Sequence, residues 1–107
     1  MRVTAGYPPL THDGLCRAIV HLARDYGVLA RYLPDSRQLY GSPGEPDILM
    51  IGRHVAFAEV KTGHAQRDPD QTTWRYAVEA AGVPCVLWRE SDYDSGTVRA
   101  FIAALAI

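Results

Sequence analysis

The sequence predicts an α/β domain in which a small mixed β-sheet is flanked by helices. Apolar residues recur at helical spacing near both ends of the chain, with short β-compatible runs between them. The resulting order is helix, strands, helix, strand, helix. With 107 residues and 48% hydrophobic content, the chain has apolar material for one core. We read residues 11–107 as a single domain, preceded by an irregular arm over residues 1–10 that carries Gly6, Pro8 and Pro9.

The first helix starts at Thr11. Leu15, Ala18, Ile19, Leu22, Ala23 and Tyr26 form its stripe, Thr11 or Asp13 caps it, and Gly27 stops it. Val28 to Tyr32 is a short strand, Gln38-Leu39-Tyr40 a second, and residues 41–46 are turn chemistry. Ile48 to Ile51 and Val55 to Val60 flank Gly52-Arg53-His54 and read as an antiparallel hairpin. Asp68-Pro69-Asp70-Gln71 opens a helix, with a capping Asp, Pro in the first turn and acid at the positive dipole end. Trp74, Ala77, Val78 and Ala81 are its expected buried face. Val83 to Trp88 is a strand, residues 91–96 break it, and Thr97 begins a last helix with Val98, Phe101, Ile102 and Leu105 on one face.

Charge and cysteine usage narrow the function. Eleven Lys plus Arg against twelve Asp plus Glu give a net charge of -1, which excludes a strongly basic nucleic-acid coat and a polyanionic tail. Any DNA contact must come from a local basic patch or from bound metal ions. Cys16 and Cys85 stand far apart, in no CxxC or Cys/His cluster, which argues against a disulfide scaffold and a structural zinc module. No apolar run approaches the roughly 20 residues of a bilayer span, and no signal-peptide core is present. The expected setting is intracellular and cytoplasmic.

The chemistry concentrates around one hairpin. Lys61 is the only lysine in the chain. Strand alternation puts it on the same face as Glu59. A three-residue turn at Gly52-Arg53-His54 pairs Ile51 with Val55 and sets Asp47 opposite Glu59; a two-residue turn would point Asp47 away. We expect the three-residue turn, because that register gathers Asp47, Glu59 and Lys61. Two carboxylates at a strand end make a hard-oxygen site suited to Mg²⁺ or Mn²⁺. A neighbouring lysine can orient or deprotonate a water and offset phosphate charge, so together these are the parts of a phosphodiesterase. An isolated Glu-x-Lys is usually an ordinary surface ion pair; the preceding Pro46-Asp47 and the hydrophobic strand before Glu59 set this one apart.

Residues 44–49 (Gly-Glu-Pro-Asp-Ile-Leu), 57–63 (Phe-Ala-Glu-Val-Lys-Thr-Gly), 71–74 (Gln-Thr-Thr-Trp) and Ala81-Gly82 together resemble the VRR-NUC domain. This is a branch of the PD-(D/E)XK nuclease superfamily that includes phage-encoded nucleases. The resemblance spans roughly residues 12 to 102 and implies a restriction-endonuclease-like core. It implies that Asp47, Glu59 and the backbone carbonyl of Val60 bind the metal, that Lys61 is the catalytic lysine, and that Gln71 supports the site. A glutamate usual near the start of the first helix is replaced by His12, with Asp13 beside it. Three alternatives stand: Asp13 substitutes, His12 ligates the metal, or the group is missing and Asp13 only caps the helix.

The resemblance points to a stand-alone Mg²⁺- or Mn²⁺-dependent deoxyribonuclease. Branched DNA such as a four-way (Holliday) junction is a fitting substrate, whose two-fold symmetry suits a homodimer. Arg53, His64 and Arg67 are candidate DNA contacts, arginine being suited to bidentate phosphate recognition. His21 and His54 read as solvated, Trp74 as core, Trp88 as either core or stacking platform, and the cysteines as small buried side chains. The rival reading is a catalytically idle DNA-binding module on the same fold.

Overall fold

The computed structural model describes residues 11–32, 34 and 43–107. The arm expected over residues 1–10 and the short strand expected at Gln38-Leu39-Tyr40 lie outside the described residues. Among the described residues the elements are, in order, α1 (His12–Asp25), β1 (Leu29–Tyr32), β2 (Ile48–Ile51), β3 (Val55–Val60), α2 (Pro69–Ala80), β4 (Cys85–Trp88), α3 (Glu90–Asp94) and α4 (Thr97–Leu105). The sheet order is β1-β2-β3-β4. The first three strands are antiparallel and β4 runs parallel to β3, reached through α2. A small mixed sheet flanked by helices is therefore the architecture, as expected.

One face of the sheet closes the core. Ala30, Ile48, Met50, Ala56, Ala58, Val60 and Trp88 point into it, against Leu15, Ile19 and Ala23 of α1 and Val98, Ile102 and Leu105 of α4. Thr11 caps α1, its hydroxyl accepting from the Gly14 N–H at 3.0 Å. Gly27 follows α1 at φ 77, in the left-handed region where glycine carries no Cβ penalty. Trp88 is buried and meets Phe101 edge to face at 5.4 Å, so it is core and not a stacking platform.

Two expectations change. The face expected to bury α2 is largely open: Trp74 and Val78 are half-buried, Ala77 and Ala81 are exposed, and Gln71 is the helix's buried residue. The helix packs on β4, at the end of the sheet, so its apolar stripe overhangs more than it covers. The expected break at residues 91–96 overlaps the short helix α3. Asp92 accepts the Arg89 N–H at 2.8 Å and so closes a first turn, in a segment whose Ser and Asp content reads as loop.

The hairpin turn is anchored from outside. Ile51 pairs with Val55, leaving Gly52-Arg53-His54 as the turn. The Arg53 N–H donates to the Leu105 carbonyl at 2.8 Å, at the C-terminal end of α4. This also supplies a partner for a carbonyl that a helix end leaves unsatisfied. A Cβ built on Gly52 would collide with that same carbonyl oxygen. Gly52→Ala is therefore expected to lower stability by about 1–3 kcal/mol through overpacking. Urea denaturation of the two proteins measures it, and an unchanged midpoint would show that the hairpin does not lean on α4.

Candidate functional site

The register that closes the core also builds the site. With Ile48 opposite Ala58, the position before β2 falls opposite the one after Ala58, so Asp47 faces Glu59 across the strand ends. This is the arrangement expected from a three-residue turn. The Asp47 carboxylate accepts the Val60 N–H at 2.8 Å, extending the β2–β3 ladder by a side chain. Lys61 continues β3, its N–H donating to the Trp88 carbonyl at 2.9 Å, and its side chain is half-buried.

Gly44 positions this end of the hairpin. At φ 87 and buried, it lies so close to the first turn of α2 that a Cβ would meet the Asp70 backbone. Glycine is required there by both conformation and space. The strap over residues 44–46 thus runs from the start of α2 directly to Asp47.

Glu59 is the most unusual side chain described. It is only 1% exposed. Its Oε2 accepts from the Arg67 Nε at 3.0 Å, and its Oε1, also buried, has no hydrogen-bond partner. A buried carboxylate is costly unless its charge is matched and its oxygens are satisfied. Half of that requirement is met here. Arg67, expected to contact DNA phosphate, instead faces inward with a side chain 16% exposed.

His12 settles beside the other carboxylate. Its Nε2 lies 3.5 Å from Asp47 Oδ2. The hydrogen bond to Asp47 holds the ring's pKa above its ordinary value, against partial desolvation, and a hydrogen bond to the Val60 backbone adds to the rise. Because the Val60 N–H is already given to Asp47, the atom favouring a protonated ring is the Val60 carbonyl. His12 therefore stands beside Asp47, one of the carboxylates singled out as metal ligands. Asp13 is engaged elsewhere: it pairs with Arg17 at 2.8 Å on the exposed side of α1, which lowers its pKa. Of His12 and Asp13, it is His12 that reaches Asp47.

The other expected residues divide. Gln71 is buried, but its Oε1 accepts the Asp68 N–H at 2.9 Å while the Asp68 carboxylate accepts the Gln71 N–H at 2.9 Å. This reciprocal capping box commits the amide oxygen to the start of α2. His64 is exposed in the loop after Lys61. Arg53 sits in the hairpin turn, at the opposite end of β2 and β3 from the carboxylates. Sequence reasoning did not single out Glu90, whose carboxylate accepts the Gly63 N–H at 3.0 Å and ties the Lys61–Arg67 loop to α3. Its neighbour Arg89 reaches the Gly63 carbonyl at 3.4 Å. No spacing signal marks either contact.

No family model and no curated protein matches the chain. A solved structure does: a VRR_NUC domain protein superposes with a TM-score of 0.68, covering 92% of this chain and 93% of its own, at 19% identity. The chain has the VRR_NUC fold. This is a restriction-endonuclease-like α/β core, in agreement with the resemblance read from the motifs.

On the VRR_NUC fold the residues present can be tested against a divalent cation. Among the described residues, no three His, Cys, Asp or Glu side chains gather to hold a metal. Mg²⁺ does not need such a cage, since it keeps several waters and takes one or two carboxylates. Asp47, Glu59 and the Val60 carbonyl supply hard oxygens, and the unpartnered Glu59 Oε1 is an acceptor with nothing to accept. The donor set fits.

Two outcomes follow from this geometry. Asp47→Ala strands the Val60 N–H and should cost about 1–3 kcal/mol in denaturant unfolding, whereas Asp47→Asn keeps an acceptor and most of the stability. Equal losses in the two variants would remove the hydrogen bond from the account. In the metal-free protein, His12 should titrate above 6.5, and lower in Asp47→Asn, by NMR of the ring protons. A raised folded-state pKa means that the contribution is full below the unfolded value near 6.5 and is lost as pH rises through the folded value. A His12 titration unmoved by Asp47→Asn would show that the carboxylate is not its partner.

Proposed function

We propose that this protein is a divalent-metal-dependent nuclease that hydrolyses DNA phosphodiester bonds. The observation that carries the reading is the buried, unpartnered Glu59 Oε1 next to an opposed Asp47 at one strand end. A buried carboxylate oxygen left without a donor is suited to a cation. Asp47, Glu59 and the Val60 carbonyl would hold Mg²⁺ or Mn²⁺. Once bound, the ion would polarise a phosphoryl oxygen and acidify a water.

The chain's own groups do the rest. The Lys61 ammonium, half-buried two residues beyond Glu59, orients the attacking water and offsets charge on the phosphate. Asp47 holds the end of β3 through the Val60 N–H and so fixes where the Val60 carbonyl points. Gln71 acts through the start of α2, which its capping box secures. His12 takes the place of the usual glutamate, as a neutral ligand or a protonated partner of Asp47. His64 in the adjoining loop, and Arg53 farther along the hairpin, are candidate contacts to flanking phosphates.

The substrate we favour is branched DNA such as a four-way junction. Its two-fold symmetry and need for two cuts suit a homodimer, in which two copies would also double the cationic groups facing DNA. With a net charge of -1, non-specific affinity for duplex should be weak. A catalytically idle DNA-binding module on the same fold is favoured by one observation: each carboxylate already has a protein partner, Arg67 on Glu59 and His12 on Asp47.

Cleavage decides between the two. With Mg²⁺ or Mn²⁺, the wild type should cut one or more of linear duplex, single-stranded, supercoiled and four-way-junction DNA. Lys61→Ala should fold normally and lose activity by a factor of roughly 10² or more, the size of a lost general acid–base or charge-stabilising group. Equal cutting by the variant would remove Lys61 from the mechanism. DNA binding without cutting by the wild type would favour the idle module.

A further inference from the structure

We infer that Arg67 is a built-in counter-cation of Glu59, stabilising the metal-free fold at the expense of metal affinity. The inference rests on the reading of Glu59 as a metal ligand and adds a residue that regulates it. Glu59 is fully enclosed at the end of β3, where an unmatched carboxylate would strongly oppose folding. Arg67 supplies the matching charge through one hydrogen bond of 3.0 Å to Oε2. It leaves Oε1 open, so the pair is neutral yet unsaturated. A divalent cation arriving at Oε1 would meet the guanidinium across the same carboxylate, and the two positive charges would repel in a poorly solvated space.

The surroundings allow Arg67 to give way. It stands at the end of the Lys61–Arg67 loop, directly before Asp68, whose capping box fixes the backbone but not the Arg67 side chain. That side chain borders an open cleft of about 500 Å³ along β4, α3 and α4, which Arg75 and Asp92 also line. A displaced guanidinium therefore has room to leave Glu59 without unfolding the loop. An arginine whose purpose was to stabilise Glu59 permanently would be expected to saturate both oxygens in the bidentate fashion typical of the pair. Here a single Nε bond is made.

Isothermal titration of the full chain with Mn²⁺ and Mg²⁺ tests this, together with thermal unfolding with and without metal. Arg67→Gln should bind Mn²⁺ roughly tenfold tighter or more, about 1.4 kcal/mol, while unfolding at a lower temperature when metal-free. Arg67→Lys, which keeps the charge, should stay close to wild type in affinity. Should Arg67→Gln be unfolded without metal, Mn²⁺-driven refolding seen by far-ultraviolet circular dichroism, and abolished by adding Asp47→Asn, is the same result. Wild-type binding lost in Asp47→Asn but not strengthened in Arg67→Gln would overturn the inference and leave the metal reading of the site standing. No binding to wild type or to Arg67→Gln would overturn the metal reading and the inference with it.

Discussion

The hairpin register is the constraint on which the rest depends. Side chains alternate along a strand, so a slip of one residue between β2 and β3 would exchange their two faces. Ala58 and Val60 would leave the core, and Glu59 would enter it against α1. The Gly52-Arg53-His54 turn prevents this at one end, held by the Leu105 carbonyl. Asp47 prevents it at the other, through the Val60 N–H. Core closure and the opposition of the two carboxylates are therefore one event, and the site cannot be misassembled without also opening the core.

That coupling explains why charge can be concentrated in so small a domain. Four segments deliver ionisable groups to one strand end: the first turn of α1, the strap before β2, the end of β3, and the loop before α2. Each is locked by a local device, namely the Thr11 cap, the close approach of Gly44, the β ladder, and the Asp68–Gln71 capping box. The groups then pair off, His12 with Asp47 and Arg67 with Glu59. Neither pair is a surface ion pair of small consequence, because at least one member of each is largely withdrawn from water. A site that brings its own cations has its carboxylate charge matched within the fold itself.

Much of the architecture was legible because its signals are local. The α1 stripe, the Asp68-Pro69 helix start and the glycines after α1 and α2 depend on residues a few positions apart. The hairpin register was legible too, since one turn length brings acidic residues together and the other separates them. The α2 stripe misled, because Trp74, Ala77, Val78 and Ala81 have helical spacing whether or not a sheet lies beneath all of them. Burial depends on where the helix lands, and it lands on the last strand.

With Asp47 opposite Glu59 only one of two registers it allowed, what the sequence determined by itself was the order of the main elements, α3 aside, and the faces of the central hairpin. These follow from periodicity and turn chemistry, which act over a few residues. Only the tertiary structure decided that Arg67 turns inward to Glu59, that His12 and not Asp13 reaches Asp47, and that Glu90 holds the loop after Lys61. Those are partnerships between charges on different elements. The charge pattern along a chain does not specify them, because an arginine before a helix cap is equally compatible with solvent, a phosphate or a buried carboxylate. The choice is made by burial, which makes a carboxylate at Glu59 costly unless a cation lies beside it.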